Sequence, residues 1–168
     1  MLYLKEANYE DAEKEYEAIS RMPAFENGFG NSFYKMTKEE FIPKGLAKMI
    51  SFSTEKWLRF DRVPETYFFL WDDDVIVGLF KIRHYLNDSL REGAGHIGYG
   101  ILKKFRGLHY GTKGLALALE KCREIVREDE IYLSCFKNNT PSLKVMLNNG
   151  ARIVRDDGEI YYTRIPLR

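Results

Sequence analysis

The chain has 168 residues, 45% hydrophobic and 14% aromatic, which suffices to bury about two thirds of its unfolded surface and build one domain over residues 1–168. Its 26 basic and 25 acidic side chains leave a net charge of +1, so no global field favours nucleic acid or an anionic membrane, and any anion site must be local. The start is charged from Lys5 onward and no apolar run approaches the roughly 18 residues of a membrane span, so we expect a cytoplasmic protein without an export signal.

LYLKEA can form a short edge strand, and Asn8 can cap a helix whose Ala12, Tyr16 and Ile19 share one face. That helix stops before Pro23. PAFENGFGNSFYKM mixes Gly28 and Gly30 with Phe25, Phe29, Phe33 and Tyr34, and reads as a loop with something to cover. Thr37 and Glu40 have capping-box spacing, Ile42, Leu46 and Ile50 form a stripe, and Pro43 should kink or restart the helix, so the first sixty residues read as mostly helical.

After Pro64, ETYFFLW and VIVGLFKIRHY read as a hairpin turning at Asp72 to Asp74, and NDSLREGAG as a connection. GHIGYGIL is a strand with glycines at 95, 98 and 100, a composition that marks a close approach by a ligand or another backbone. From Thr112 the spacing is helical, with Leu115, Leu119, Cys122 and Val126 on one face. IYLSCF follows as a strand, NNTPSLKVMLNNG as a helix stopped at Gly150, and ARIVRD with EIYYTRIPL as a closing hairpin. Cys122 and Cys135 match neither C-x-x-C nor a zinc-ligand spacing, so both should be reduced and buried, with no metal. The order implies a mixed α/β domain with one strand pair joined through a helix and therefore parallel.

Between the glycine-bearing strand and the long helix lies KKFRGLHYGTKG, a basic turn ahead of a helix start. The first N–H groups of a helix lack intrahelical partners and carry positive potential, so such a turn can wrap a phosphate. A Walker A loop is excluded, because Gly107 and Gly111 have three residues between them and Thr112 precedes Lys113. The dinucleotide fingerprint is excluded too, since Gly98-Tyr99-Gly100 lies within a strand. Arg106 to Gly111 resembles instead the R-x-x-G-x-G/A pyrophosphate loop of the GNAT N-acetyltransferase superfamily, with His109 in place of the first glycine. Ile101 lies five residues before Arg106, as in that family, and Asn139, Ser142, Val145 and Gly150 resemble its later N-x-x-A/S segment and glycine-stopped helix. From Pro64 to Leu167 the chain is similar to a branch described as predicted acetyltransferases.

The resemblance implies a GNAT fold: a mixed, mostly antiparallel sheet with one splayed parallel strand pair, GHIGYGIL and IYLSCF, flanked by helices. It implies acetyl-CoA as co-substrate, lying between those strands. Backbone around Ile101 would pair with the pantetheine arm, the amides of Arg106, Gly107, Leu108, His109, Tyr110, Gly111 and Thr112 would hold the pyrophosphate, and Asn139 would touch the lower pantetheine or order the second helix. The activity implied is acetyl transfer to a primary amine of a small molecule or peptide, directly, in a ternary complex. Alternatives in view are a catalytically idle acyl-CoA-binding or regulatory module, transfer of a bulkier acyl group, and modification of a protein N-terminus. A homodimer is admitted as an assembly.

Some relatives place a base near the start of the third strand, where His96 stands, and a histidine with an ordinary pKa near 6.5 can serve at neutral pH. His84, at a strand end, is a candidate substrate contact. Many relatives carry a tyrosine as proton donor where this chain has Met146, which cannot donate; Tyr110, Tyr161 or Tyr162 are candidate substitutes.

Overall fold

The structure, a computed structural model, describes residues 1–55 and 61–168. In chain order it begins with β1 (Leu2–Glu6), α1 (Ala12–Ser20), the two short strands β2 (Phe25–Glu26) and β3 (Phe29–Gly30), α2 (Lys38–Glu40) and α3 (Leu46–Ser51). Next come β4 (Glu65–Asp72), β5 (Val75–Arg83), α4 (Asp88–Glu92), β6 (Ile97–Ile101) and α5 (Tyr110–Ile125). The chain closes with β7 (Glu130–Phe136), α6 (Thr140–Asn148), β8 (Arg152–Asp156) and β9 (Ile160–Pro166). The described residues form three sheets, ordered β1-β4-β5-β6, β7-β9-β8 and the two-stranded β2-β3, with every ladder antiparallel.

Alternation along the central strands decides what packs on each face. Phe68, Leu70, Phe80 and Ile82 join one core with Leu115, Leu119 and Met146 of α5 and α6. Their neighbours Tyr67, Phe69 and Leu79 join a second core with Ile19, Phe41, Leu46 and Met49 from the N-terminal helices. Each central strand is therefore apolar on both faces, which explains why ETYFFLW reads as a continuous hydrophobic run. Helix α5 docks so closely that a Cβ on Gly114 would stand 2.5 Å from Phe80.

Local signals act largely as their chemistry requires. Thr37 caps α2, its hydroxyl accepting from the Glu40 amide at 3.2 Å, and a π-helical turn over Phe41–Gly45 absorbs Pro43 before α3 restarts the helix. Asn8 stands one turn ahead of α1, with its Oδ1 accepting from the Asp11 amide at 3.1 Å. NDSLREGAG, read as a connection, contains α4, capped by Asn87 through the Leu90 amide at 2.9 Å. The part of the helical expectation that falls on residues 56–60 lies outside the described residues.

Candidate active site

Strands β6 and β7 meet at a single point. His96 donates its amide to the Tyr132 carbonyl at 2.8 Å, and the Tyr132 amide donates to Nδ1 of His96 at 2.9 Å. Gly95 permits this approach, for a Cβ there would collide with the Tyr132 carbonyl and its φ is +69°. Beyond it, β6 pairs with β5 and β7 with β9, and no ladder joins β6 to β7. The two strands run the same way: the hydroxyl of Tyr99, at the middle of β6, reaches Ser142 in the helix that follows β7. This is the splayed parallel pair expected from the sequence.

His96 sits at the vertex of that opening, 0% exposed, with both ring nitrogens engaged. Because Nδ1 accepts from Tyr132, Nε2 carries the proton and faces Glu128 Oε2 at 3.0 Å. Burial lowers its pKa, ahead of Glu128, which acts in the opposite sense. No lone pair is left facing the opening, which counts against the expected role as a base and assigns His96 the work of a brace. His84 ends β5, its Nε2 2.8 Å from the Thr66 hydroxyl and its amide donating to Pro64; this is the closed end of the strand pair, beside Arg83, which binds the His96 carbonyl through its own amide.

The turn ahead of α5 has the shape an oxyanion needs. Gly107 has φ +80°, and His109 stands at φ 62°, ψ 12°, in the left-handed region where glycine is usual and histidine is among the tolerated residues. Among the described residues, no protein group accepts from the amides of Gly107, Leu108, His109, Tyr110, Gly111 or Thr112; the first bonded amide is that of Lys113, on His109. Gly111 has a packing role, since its Cβ would lie 3.0 Å from Val145 of α6. Asn149 holds the same two helices together, donating to the Thr112 carbonyl at 3.1 Å and to Val145 at 2.9 Å.

The side chains around the turn look outward from it. Arg106 folds back, its Nε donating to the Ile101 carbonyl at 3.0 Å and its guanidinium pairing with Glu26. Leu108 is 57% exposed. The Tyr110 hydroxyl donates to Asp72 at 2.6 Å. Asn139 caps α6, accepting from the Ser142 amide at 3.3 Å.

Sequence reasoning missed the hairpin that covers β6. Asn27 (φ 51°) and Gly28 (φ 87°) turn β2 into β3, so the loop expected over Phe25 to Tyr34 is in part a two-residue hairpin. Asn-Gly between aromatic residues is the signal that marks it. Phe29 lies over the bare backbone of Gly98 and Gly100, and Gly28 approaches Phe136 at the end of β7. Under the hairpin lies Lys81, opposite Gly98 in the ladder, its Nζ donating to the Gly30 carbonyl at 3.1 Å.

Hydroxyl groups are also redistributed. Met146 is buried, with its sulfur accepting from Thr163 Oγ1 at 3.5 Å, while Tyr162 donates to Asp157 at 2.9 Å. Tyr99 and Ser142 are the hydroxyl pair that spans the opening, 2.8 Å apart. Burial pushes the Tyr99 phenol up to about 12, so it stays protonated.

A splayed strand pair ending in free, convergent amides is a site for an extended, phosphate-bearing acyl carrier. The profile of the Acetyltransferase (GNAT) family matches residues 31–150. The chain belongs to the GNAT acetyltransferase family. This enzyme is accordingly an acetyl-CoA-dependent N-acetyltransferase by class, and the free amides at Gly107 to Thr112 fit the pyrophosphate of that co-substrate. Solved structures share its fold at low identity. Ribosomal-protein-S5-alanine acetyltransferase from Vibrio fischeri is 15% identical with TM-score 0.69, covering 98% of this chain and 92% of its own. RimJ from Mycobacterium smegmatis, in complex with CoA-disulfide, is 20% identical with TM-score 0.66, covering 98% and 81%. N-acetyltransferase PseH from Campylobacter jejuni, in complex with acetyl coenzyme A, is 16% identical with TM-score 0.59, covering 99% of each chain. No curated protein matches the GNAT chain described here. Among its described residues no helix is long and apolar enough to cross a membrane, and no acidic, histidine or cysteine cluster is suited to a metal ion.

Proposed function

We propose that the protein transfers acetyl directly from acetyl-CoA to a primary amine of a small molecule or peptide, within a ternary complex. The observation that carries this reading is the row of unpartnered amides from Gly107 to Thr112 at the mouth of the splayed strands. Preorganised donors of this kind hold phosphate without reorganisation, and the edge of β6 away from β5 offers backbone groups to the pantetheine arm near Ile101, whose carbonyl accepts from Arg106. Asn139 orders α6 beside that path.

Two features favour direct transfer over a covalent acetyl-enzyme. Cys122 is fully buried, with its thiol pushed up to about 12, and burial raises Cys135 as well, so neither is an activated nucleophile. In direct transfer the amine lone pair forms the C–N bond as the C–S bond breaks, the sulfur leaves with the electron pair, and solvent takes the proton released by nitrogen. Tyr99, polarised by Ser142, supplies the hydrogen bond that steadies the leaving sulfur in place of a donor at Met146.

Calorimetry with acetyl-CoA, followed by thiol-release assays over a panel of amines, tests the reading. Binding with turnover is the expected result; binding without turnover on any amine supports an idle acyl-CoA module instead. No heat from the folded protein overturns the proposal.

A further inference from the structure

Lys81 is a cation in a place with little to compensate it. It points from β5 toward the N-terminal helices, its Cε 3.5 Å from the point where a Cβ on Gly98 would stand. The ammonium lies 4.6 Å from the centre of the Phe29 ring and 5.8 Å from that of Tyr67. Among the described residues no carboxylate comes within salt-bridge distance of it. The neighbouring Glu65 is engaged with Arg83, at 3.6 Å. Glu65 is the largest of the charges acting on Lys81, and Arg83 and Arg62 act against it. Burial, ahead of those charges, holds its pKa below the usual lysine range. Of its three donors, the one carbonyl of Gly30 takes a single hydrogen bond.

A desolvated cation with one neutral partner gains strongly from an anion. The surface it faces is the stretch of β6 that Gly98 and Gly100 leave without side chains, covered by the hairpin with one ring, Phe29. Space is open on the Cα side of Gly30, where a Cβ would meet nothing within 4 Å. Its carbonyl occupies the position that an acceptor's oxygen would take. Conversely, the aromatic faces of Phe29 and Tyr67, which could receive a cationic substrate, already hold the protein's own ammonium.

We infer that Lys81 determines acceptor specificity: its ammonium selects an amine that also bears a carboxylate, which replaces the Gly30 carbonyl when the β2–β3 hairpin lifts. This rests on the acetyl-transfer reading above. It assigns the acceptor to the class of small amino acids and sets polyamines and simple amino alcohols against it.

The test compares glutamate and β-alanine with spermidine and ethanolamine in thiol-release assays on the wild type, Lys81→Met and Lys81→Arg. Wild type is expected to prefer the carboxylate-bearing amines. Lys81→Met should raise KM for them about tenfold, the equivalent of one charged hydrogen bond, while KM for ethanolamine and acetyl-CoA changes less than about twofold. Lys81→Arg should keep part of the preference. Preference for spermidine or ethanolamine in the wild type, or an equal loss on every amine in Lys81→Met, would overturn the assignment and leave acetyl transfer standing. Failure of the folded protein to bind acetyl-CoA in calorimetry overturns acetyl transfer separately. Where no amine turns over, saturation-transfer NMR in the presence of CoA reads the same preference: N-acetylglutamate should bind the wild type and not Lys81→Met, and N-acetylspermidine should bind neither. Equal binding of N-acetylglutamate to both proteins refutes the role of Lys81.

Discussion

The Tyr132 amide donates to the imidazole of His96, and the His96 amide donates to the Tyr132 carbonyl, at 2.9 and 2.8 Å. One side chain and three backbone groups thus join two sheets where a ladder would use several residues. On the far side of the ring Glu128 holds Nε2, and its other oxygen accepts from the Leu86 amide at 2.8 Å. The same contacts that fix the opening engage both ring nitrogens of His96.

Replacing His96 should therefore act on stability before chemistry. His96→Ala removes the partners of the Tyr132 amide and of Glu128 Oε2, and should cost about 2–4 kcal/mol in denaturant unfolding. His96→Gln, if it folds, should keep the pH dependence of kcat/KM. Disappearance of an acid limb below the ordinary histidine value of about 6.5 in that variant would restore His96 as a base.

Glu15 should make stability fall as pH rises. Its side chain is fully buried, Oε1 accepts from the Asn8 amide at 2.9 Å, and Oε2 has no hydrogen-bond partner among the described residues. Burial raises its pKa from 4.5 to about 8, so the folded state retains a proton that the unfolded chain releases. The stabilisation is complete below about pH 4.5 and is lost as pH climbs through 8, on the order of a few kcal/mol. Thermal melts should show Tm dropping across this window in the wild type and staying level in Glu15→Gln. Equal slopes in the two proteins would mean that Glu15 is ionised when folded.

His109 tests the shape of the phosphate turn. His109→Gly should keep the fold and bind acetyl-CoA at least as well, because glycine takes φ 62° without a Cβ penalty of about 1 kcal/mol. His109→Val should lose both stability and affinity, since a β-branched residue is strained there. Calorimetry on the three proteins measures the order. Gly111→Val meets Val145 and should lower Tm as well as affinity.

Tyr99 and Ser142 should matter to the leaving group. Tyr99→Phe keeps the ring stacked 5.3 Å from Phe80 and removes the hydroxyl alone. A fall in kcat of about 100-fold, with KM for acetyl-CoA little changed, is the expected outcome in steady-state assays. Ser142→Ala should give a smaller fall in the same direction. An unchanged kcat in Tyr99→Phe would show that the thiolate departs without this hydroxyl.

Much of the fold was legible because short-range chemistry governs it. The Thr37 capping box, the Asn139 cap, the stop at Gly150 and the turn at Asp157-Gly158 act within a few residues, and each appears as its chemistry requires. The phosphate turn was legible for the same reason: a left-handed residue and the free amides of one helix start are local properties of Arg106 to Thr112. The hairpin at Asn27-Gly28 was missed because glycine and phenylalanine density suggested a loop, although the dipeptide itself carries the turn.

Long-range contacts lie beyond such reading. Nothing near His96 in the chain announces that Tyr132 and Glu128 will occupy both ring nitrogens, so an ordinary histidine pKa suggested a base where burial makes a brace. Strand β9 lies between β7 and β8, although ARIVRD precedes it in sequence. By itself, then, the sequence determined most of the elements, the family and the backbone shape of the turn ahead of α5, because caps, periodicity and positive φ depend on neighbours along the chain. Which side chains face the opening was decided by tertiary structure alone, since burial, pairing and pKa depend on residues tens of positions apart.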